Sequence, residues 1–122
     1  MAGKAIGEFS FKAVTSTYTP GPAGSLLNHV NWEGNATGFG TVFGTATYSG
    51  GPKGGSFSWH AEAFLDNGDV MTGSGPGTFE SVGKHRWCTK GYMDLSDGRR
   101  IMGEGEIDLA SRSWKGTIHE VS

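Results

Sequence analysis

Glycine and large apolar residues share the same alternate positions along two segments of this chain. The segments are Trp87-Thr89-Gly91-Met93-Leu95 and Ile101-Gly103-Gly105-Ile107-Leu109. Glycine inside a strand weakens it and needs a local reason, such as a bend, a bulge or the close approach of a ring or another backbone. With 22 glycines among 122 residues, this pattern predicts a small, tightly curved β-barrel.

Turn signals divide the chain into short segments in which apolar and polar residues alternate. Helical spacing of apolar residues is absent, whereas turns recur roughly every 8 to 12 residues, as in all-β sandwiches and barrels. Short connections favour antiparallel neighbours, and closing the sheet removes exposed edges. We therefore expect a single all-β domain over residues 1–122, a small antiparallel meander β-barrel of seven to nine strands. The expected strands cover residues 5–18, 26–34, 39–49, 56–65, 69–74, 78–82, 85–95, 99–109 and 113–121.

The turn after Leu95 decides which side chains face the interior. If residues 96–98 form a three-residue loop, Leu95 stands opposite Arg99. A two-residue turn would shift the register by one residue and bring the carboxylates of residues 104, 106 and 108 inside. Burying these carboxylates without counter-charges would be strongly unfavourable, so the three-residue loop is predicted. Its inward-facing apolar side chains are Trp87, Met93, Ile101, Ile107 and Leu109.

The following turn, residues 110–113, has four residues, so the inward-facing positions change from odd to even numbers in the last strand. The inner positions there are Trp114, Gly116, Ile118 and Glu120, and Gly91, Gly103 and Gly105 share this interior with Trp87. The glycines either let the rings pack and fill the barrel or leave a partly open apolar pocket. An eight-stranded barrel is just wide enough for either arrangement, so both interpretations stay open.

Charge and cysteine content argue against several classes of function. The net charge is -2 and the basic residues are scattered, so neither nucleic acid nor an anionic membrane surface is an expected partner. No stretch approaches the ~20 apolar residues of a membrane span, and no signal peptide is recognisable, so a cytoplasmic location is expected. Cys88 is the only cysteine, which excludes an internal disulfide. No metal or cofactor is expected, because no histidine or cysteine pair has ligand spacing.

His85 and Glu120 are the two candidates for proton transfer. His85 falls at a strand start, hence at a barrel mouth, where it is either a general base or a surface histidine held by a backbone carbonyl. Glu120 falls on the inner face near the chain end, where it is either enclosed or solvated. In the predicted register the two lie roughly 20 Å apart, so they cannot form a dyad. His29, His60 and His119 are expected on the outer face.

Several glycine and turn spacings resemble those of a known barrel family. They comprise Gly77-Thr78-Phe79-Glu80, His85-Arg86-Trp87, Gly91, Leu95-Ser96-Asp97-Gly98 and the earlier run 33–40. This arrangement is similar to the meander of small calycin-like barrels of the allene oxide cyclase type and their uncharacterised bacterial relatives. The resemblance implies an interior that binds apolar small molecules, which some members isomerise or cyclise. No catalytic residue of that family matches a position here.

Three hypotheses follow for the function. The first is a barrel that binds a small apolar or aromatic molecule, with Tyr48, Trp59, Trp87 and Trp114 lining a cavity of a few hundred Å³, the usual scale for ligands. The second is an isomerase or cyclase that uses the same cavity, with His85 or Glu120 as the proton-transfer group. The third is a non-catalytic homo-oligomeric scaffold, in which an outer sheet face forms the contact.

Overall fold

The computed structural model describes residues 2–121, which form one closed barrel of eight antiparallel strands in meander order. Each strand pairs with the next along the chain, and the last closes against the first. The predicted all-β meander barrel is therefore confirmed. The strands are β1 (Ala2–Pro20), β2 (Leu26–Ala36), β3 (Gly40–Gly51), β4 (Gly54–Phe64), β5 (Val70–Gly83), β6 (Arg86–Leu95), β7 (Arg100–Asp108) and β8 (Ser113–Val121).

Strand β5 replaces two of the expected strands. The segment 75–77 was expected to connect them, but it lies inside β5 and pairs without interruption with β4. Only the ladder to β6 is interrupted, between the pairs Ser74–Asp94 and Gly77–Gly91. Pro76 lies in this gap and has no N–H to donate, so the chain loses one side of its pairing there without leaving the sheet.

The β6–β7 turn has the predicted three-residue form. The Leu95 N–H donates to the Arg99 carbonyl at 2.9 Å, and Gly98 adopts a φ of 95°, the left-handed conformation that favours glycine. Ile101 and Ile107 are buried, whereas Glu104 and Glu106 are exposed. The register therefore keeps these two carboxylates in solvent, for the reason on which the prediction rested.

The β7–β8 turn differs from the prediction by two residues. Ile107 pairs with Trp114 and Asp108 with Ser113, so residues 109–112 form the turn. A slip of two preserves which side chains face inward. Leu109, however, belongs to the turn and is 46% exposed. The expectation that Leu109 points into the barrel is therefore wrong.

The centre of the core is an aromatic cluster around Trp114. The rings of Phe9, Phe11, Trp32, Phe57 and Trp59 have centroids between 5.2 and 5.9 Å from that of Trp114. Edge-to-face contacts predominate, which is the geometry that aromatic quadrupoles favour. One tryptophan of the last strand thus joins side chains from β1, β2 and β4.

Several inward-facing glycines make room for phenylalanine rings or for neighbouring backbone. A Cβ at Gly105 would lie 2.8 Å from the Phe9 ring, and Gly77 stands across from Phe57, whose ring occupies the space of a side chain. Gly116 is different, because its Cβ would overlap the Glu104 carbonyl of β7. The rings nearest these glycines are therefore those of Phe9 and Phe57, and the expected partner rings of Trp87 and Trp114 are not the ones that fill this space.

Candidate ligand-binding cavity

The two ends of the barrel are defined by their loops. The Phe39 end carries loops 37–39, 65–69 and 96–99, and the Trp87 end carries loops 21–25, 52–53, 84–85 and 109–112. A cavity of about 100 Å³ extends from the aromatic cluster towards the Phe39 end. Phe39, Leu95 and Ile101 line it near the loops, and Trp59 and Trp114 line it on the side of the cluster. Among the residues that the structure describes, this cavity lies in the half towards the Phe39 end, and aromatic rings pack against one another in the other half, which we call the filled half.

Small and flexible side chains explain why this half is not filled. Alanines and glycines occupy inward positions on several strands of the wall, among them Ala36, Ala63, Gly73 and Gly103. Met71 on β5 and Met93 on β6 also line the cavity. Because methionine has three rotatable bonds and a polarizable sulfur, it adapts to gaps of irregular shape. These two side chains can therefore change the shape of the wall.

Thr89 is the buried polar residue of the described cavity wall. It is 6% exposed, and its Oγ1 accepts the Trp114 Nε1–H at 2.9 Å. Thr72 and Tyr92 also contribute to the wall, but they alternate with the inward-facing Gly73 and Met93 and so point outward. None of the described wall residues carries a charged side chain. The cavity is thus neutral and almost wholly apolar.

The four predicted ligand-binding residues divide between the two ends. Trp59 and Trp114 line the cavity, whereas Tyr48 and Trp87 lie towards the Trp87 end and outside its wall. Trp87 donates its indole N–H to the Pro52 carbonyl at 2.8 Å, which ties β6 to the β3–β4 loop.

Tyr48 packs inside the filled half of the barrel. Its ring lies 5.5 Å from those of Phe57 and Phe79, and its hydroxyl accepts the Trp32 Nε1–H at 3.3 Å. Burial raises the pKa of the Tyr48 phenol well above its ordinary value, and the Trp32 hydrogen bond offsets only part of this shift. Tyr48 is therefore a neutral phenol across the physiological range.

The two candidates for proton transfer lie at opposite ends of the barrel. His85 belongs to the β5–β6 turn with a φ of 52°, and Glu120 is near the end of β8, opposite Ile101. Both are exposed, and neither lines the cavity. The prediction that they form no dyad agrees with this placement.

The remaining histidines lie on the outer face, in different environments. His60 is exposed, whereas His29 is half-buried and its ring nitrogens contact the hydroxyls of Thr19 and Thr47 at 2.8 and 3.0 Å. His119 donates from Nδ1 to the Gly3 carbonyl at 3.2 Å. Within residues 2–121 no group of three or more His, Cys, Asp or Glu side chains could hold a metal ion. None of the helices in this part of the chain has the length and apolar character to cross a membrane.

Phe39 is one of the wall residues that the sequence reasoning did not assign to the cavity. It was expected to begin a strand, but it lies in the β2–β3 loop, is 7% exposed and faces the cavity. Gly38 and Gly40 flank it with φ values of 79° and 76°, and the Arg99 guanidinium lies 5.6 Å from the centre of its ring. The Gly-Phe-Gly run was the available signal, because glycines on both sides allow a loop to turn an aromatic ring inward.

No protein-family model matches this chain, and neither a curated protein nor a solved structure shows significant similarity to it. The cavity and the residues around it are therefore the basis for proposing a function.

Proposed function

We propose that this barrel binds one compact, neutral, apolar or aromatic molecule in the cavity at the Phe39 end. The observation that carries the proposal is an apolar internal space of about 100 Å³ beside a packed aromatic cluster. Protein interiors are close-packed and contain few voids larger than a water molecule. An uncharged, hydrophobic occupant suits this space, since a buried charge would have no counter-charge in the wall.

The size of the cavity limits the ligand. The sequence led us to expect a few hundred Å³, whereas the structure has about 100 Å³. An engineered apolar cavity of roughly 150 Å³ holds benzene or xenon. The proposed ligand is therefore a molecule with a single ring or of similar size, and the methionines of the wall supply the adjustment that it needs.

Titration with benzene, followed by methyl resonances in solution NMR, tests this function. We expect saturable shifts at Met71, Met93, Leu95 and Ile101, which line the cavity. Ala63→Leu places extra side-chain volume in the wall and should weaken binding at least tenfold. Ala110→Leu makes the same change at an exposed turn residue and should have no effect. Benzene shifts that do not saturate, or that are unchanged in Ala63→Leu, would contradict the proposal.

A homo-oligomeric scaffold is a second candidate, because the outer face of β3–β5 carries an apolar patch. Phe43, Phe64 and Val70 are 48, 41 and 52% exposed, and the two rings meet edge-to-face at 6.0 Å. Contiguous exposed apolar side chains often mark a contact surface. Sedimentation should then show an oligomer that Phe43→Ser combined with Phe64→Ser dissociates. A wild-type monomer at all concentrations would rule this candidate out.

A further inference from the structure

Thr89 lies where the cavity wall is otherwise built from glycine and apolar side chains. It pairs with Gly105 on β7 and Phe79 on β5, and Gly91 and Gly103 are close to it on the inner face. Glycine offers no side chain to cover the threonine hydroxyl. Thr89 is nevertheless buried, with 6% exposure, so the hydroxyl group has little access to bulk solvent.

Trp114 determines which hydrogen-bonding role remains for Thr89. A threonine hydroxyl can donate one hydrogen bond and accept two, whereas an indole N–H only donates. Since Trp114 Nε1–H donates to Oγ1 at 2.9 Å, the hydroxyl proton must point elsewhere. The structure shows no hydrogen bond from this hydroxyl to an acceptor among the residues that it describes. A buried donor without an acceptor is unfavourable, and a ligand that supplies an acceptor would relieve this cost.

We infer that the cavity prefers a compact ring that carries one hydrogen-bond acceptor, such as a carbonyl or ether oxygen, and that Thr89 donates its hydroxyl proton to this atom. This inference rests on the proposed binding function and specifies its ligand class. Hydrocarbons of the same size fill the cavity but leave the Thr89 proton without an acceptor. Carboxylates are disfavoured, because the described wall residues include no cation.

Paired titrations with toluene and benzaldehyde test the inference, because the two rings differ in one substituent of similar size. The measured quantity is the ratio of the two dissociation constants in each variant, so that differences in ligand hydration cancel. Thr89→Val retains the shape and removes the hydroxyl. The wild-type preference for benzaldehyde should fall about fivefold in this variant, as expected for the loss of one neutral hydrogen bond. Thr89→Ser retains the hydroxyl and should keep the wild-type ratio.

A second measurement keeps the test valid if Thr89→Val does not fold. The carbonyl stretch of benzaldehyde bound to the wild-type protein should lie below its frequency in hexane, because a donated hydrogen bond weakens the C=O bond. An unshifted stretch, or an unchanged ratio in folded Thr89→Val, overturns the inference while toluene binding still supports the proposed function. If neither molecule binds the wild-type protein, the proposed function fails as well.

Trp59 provides the control for a competing donor in the same wall. Trp59 also lines the cavity, and the structure shows no hydrogen bond from its indole N–H to another described residue. A ratio that falls in Trp59→Phe and is unchanged in Thr89→Val would assign the contact to the indole and overturn the role of Thr89. A ratio that falls only in Thr89→Val supports it.

Discussion

At the Trp87 end, aromatic side chains fill the barrel, whereas at the Phe39 end the same alternating inner face leaves a cavity. Tyr48, Phe57 and Phe79 pack ring against ring at the Trp87 end, and Trp87 is tied to the loop at Pro52. At the Phe39 end, inward positions carry alanine, glycine and methionine, and Phe39 from a loop closes part of the space. The two halves therefore differ in the size of the side chains that point inward, and small side chains line the half that is open.

Trp114 joins the two ends, and its removal should have the largest effect. Its ring contacts aromatic side chains on three other strands and lines the cavity. We expect Trp114→Ala to lower the free energy of unfolding by about 3–5 kcal/mol, measured by urea denaturation. Phe43→Ala removes a ring that is 48% exposed and should cost much less. Equal losses would show that the cluster does not hold the two halves together.

A pair of glycine substitutions separates backbone crowding from the open space of the cavity. In Gly116→Ala the new Cβ would overlap the Glu104 carbonyl, so we expect a loss of about 1–3 kcal/mol in unfolding free energy. In Gly103→Ala the nearest atom is Phe9 Cε2 at 3.7 Å, an ordinary contact in the cavity wall. This variant should match or exceed the stability of the wild type. Urea midpoints in the reverse order would be inconsistent with the described packing.

Alkaline pH should weaken the filled end through Tyr48. Its folded-state pKa is raised by burial, so the contribution of the neutral phenol to stability is complete below the unfolded pKa of about 10 and is lost as pH rises above it. Above this pH we expect the free energy of unfolding to fall by about 1.4 kcal/mol per pH unit. Tyr48→Phe should remove this decline, although it also leaves the Trp32 N–H without its acceptor. Tyr18→Phe, at a 61% exposed position, should retain it.

Acid pH should have the smallest effect, and it acts at the Phe39 end. The Arg100 guanidinium lowers the pKa of the Asp94 carboxyl through hydrogen bonds and charge, and the Arg99 backbone N–H, followed by its guanidinium, lowers that of Asp97. Stability from these pairs is present above the ordinary carboxyl pKa of about 4 and is lost as pH falls through the lowered values. In Asp94→Asn the free energy of unfolding, measured by urea denaturation, should fall slightly less at acid pH than in the wild type. Added salt should also reduce this fall, because the pairs are exposed. A larger loss of unfolding free energy at acid pH in Asp94→Asn than in the wild type would contradict the assigned role of this ion pair.

Local pattern was sufficient to predict the faces of individual strands. Ile101 and Ile107 of β7 were expected to face inward, and both are buried. The loop after Leu95 was predicted from the cost of burying carboxylates, and its hydrogen bonds have the expected form. These features depend on neighbours in the chain and on a period of two, so a single sequence contains the necessary information.

Pattern could not predict which inward-facing residues lie at the same height in the barrel. Trp59 and Trp114 meet at the cavity. Tyr48 and Trp87 were also predicted to line it, but they lie towards the other end of the barrel. Height depends on the stagger of all eight strands around the closed barrel, and a two-residue slip such as that at Leu109 changes it without changing the face. Phe39 belongs to a loop, where alternation carries no information.

The period-two alternation determined the all-β class and the inner face. The carboxylates of residues 104, 106 and 108 determined the β6–β7 register, because a shift of one residue would have buried them. Only the tertiary structure decided that the barrel has eight strands, that one half is filled and that the other leaves about 100 Å³ beside Thr89. The physical reason is that the free volume inside the barrel depends on side chains from strands that are distant in the sequence. Closure of the barrel fixes the height at which each of these side chains lies.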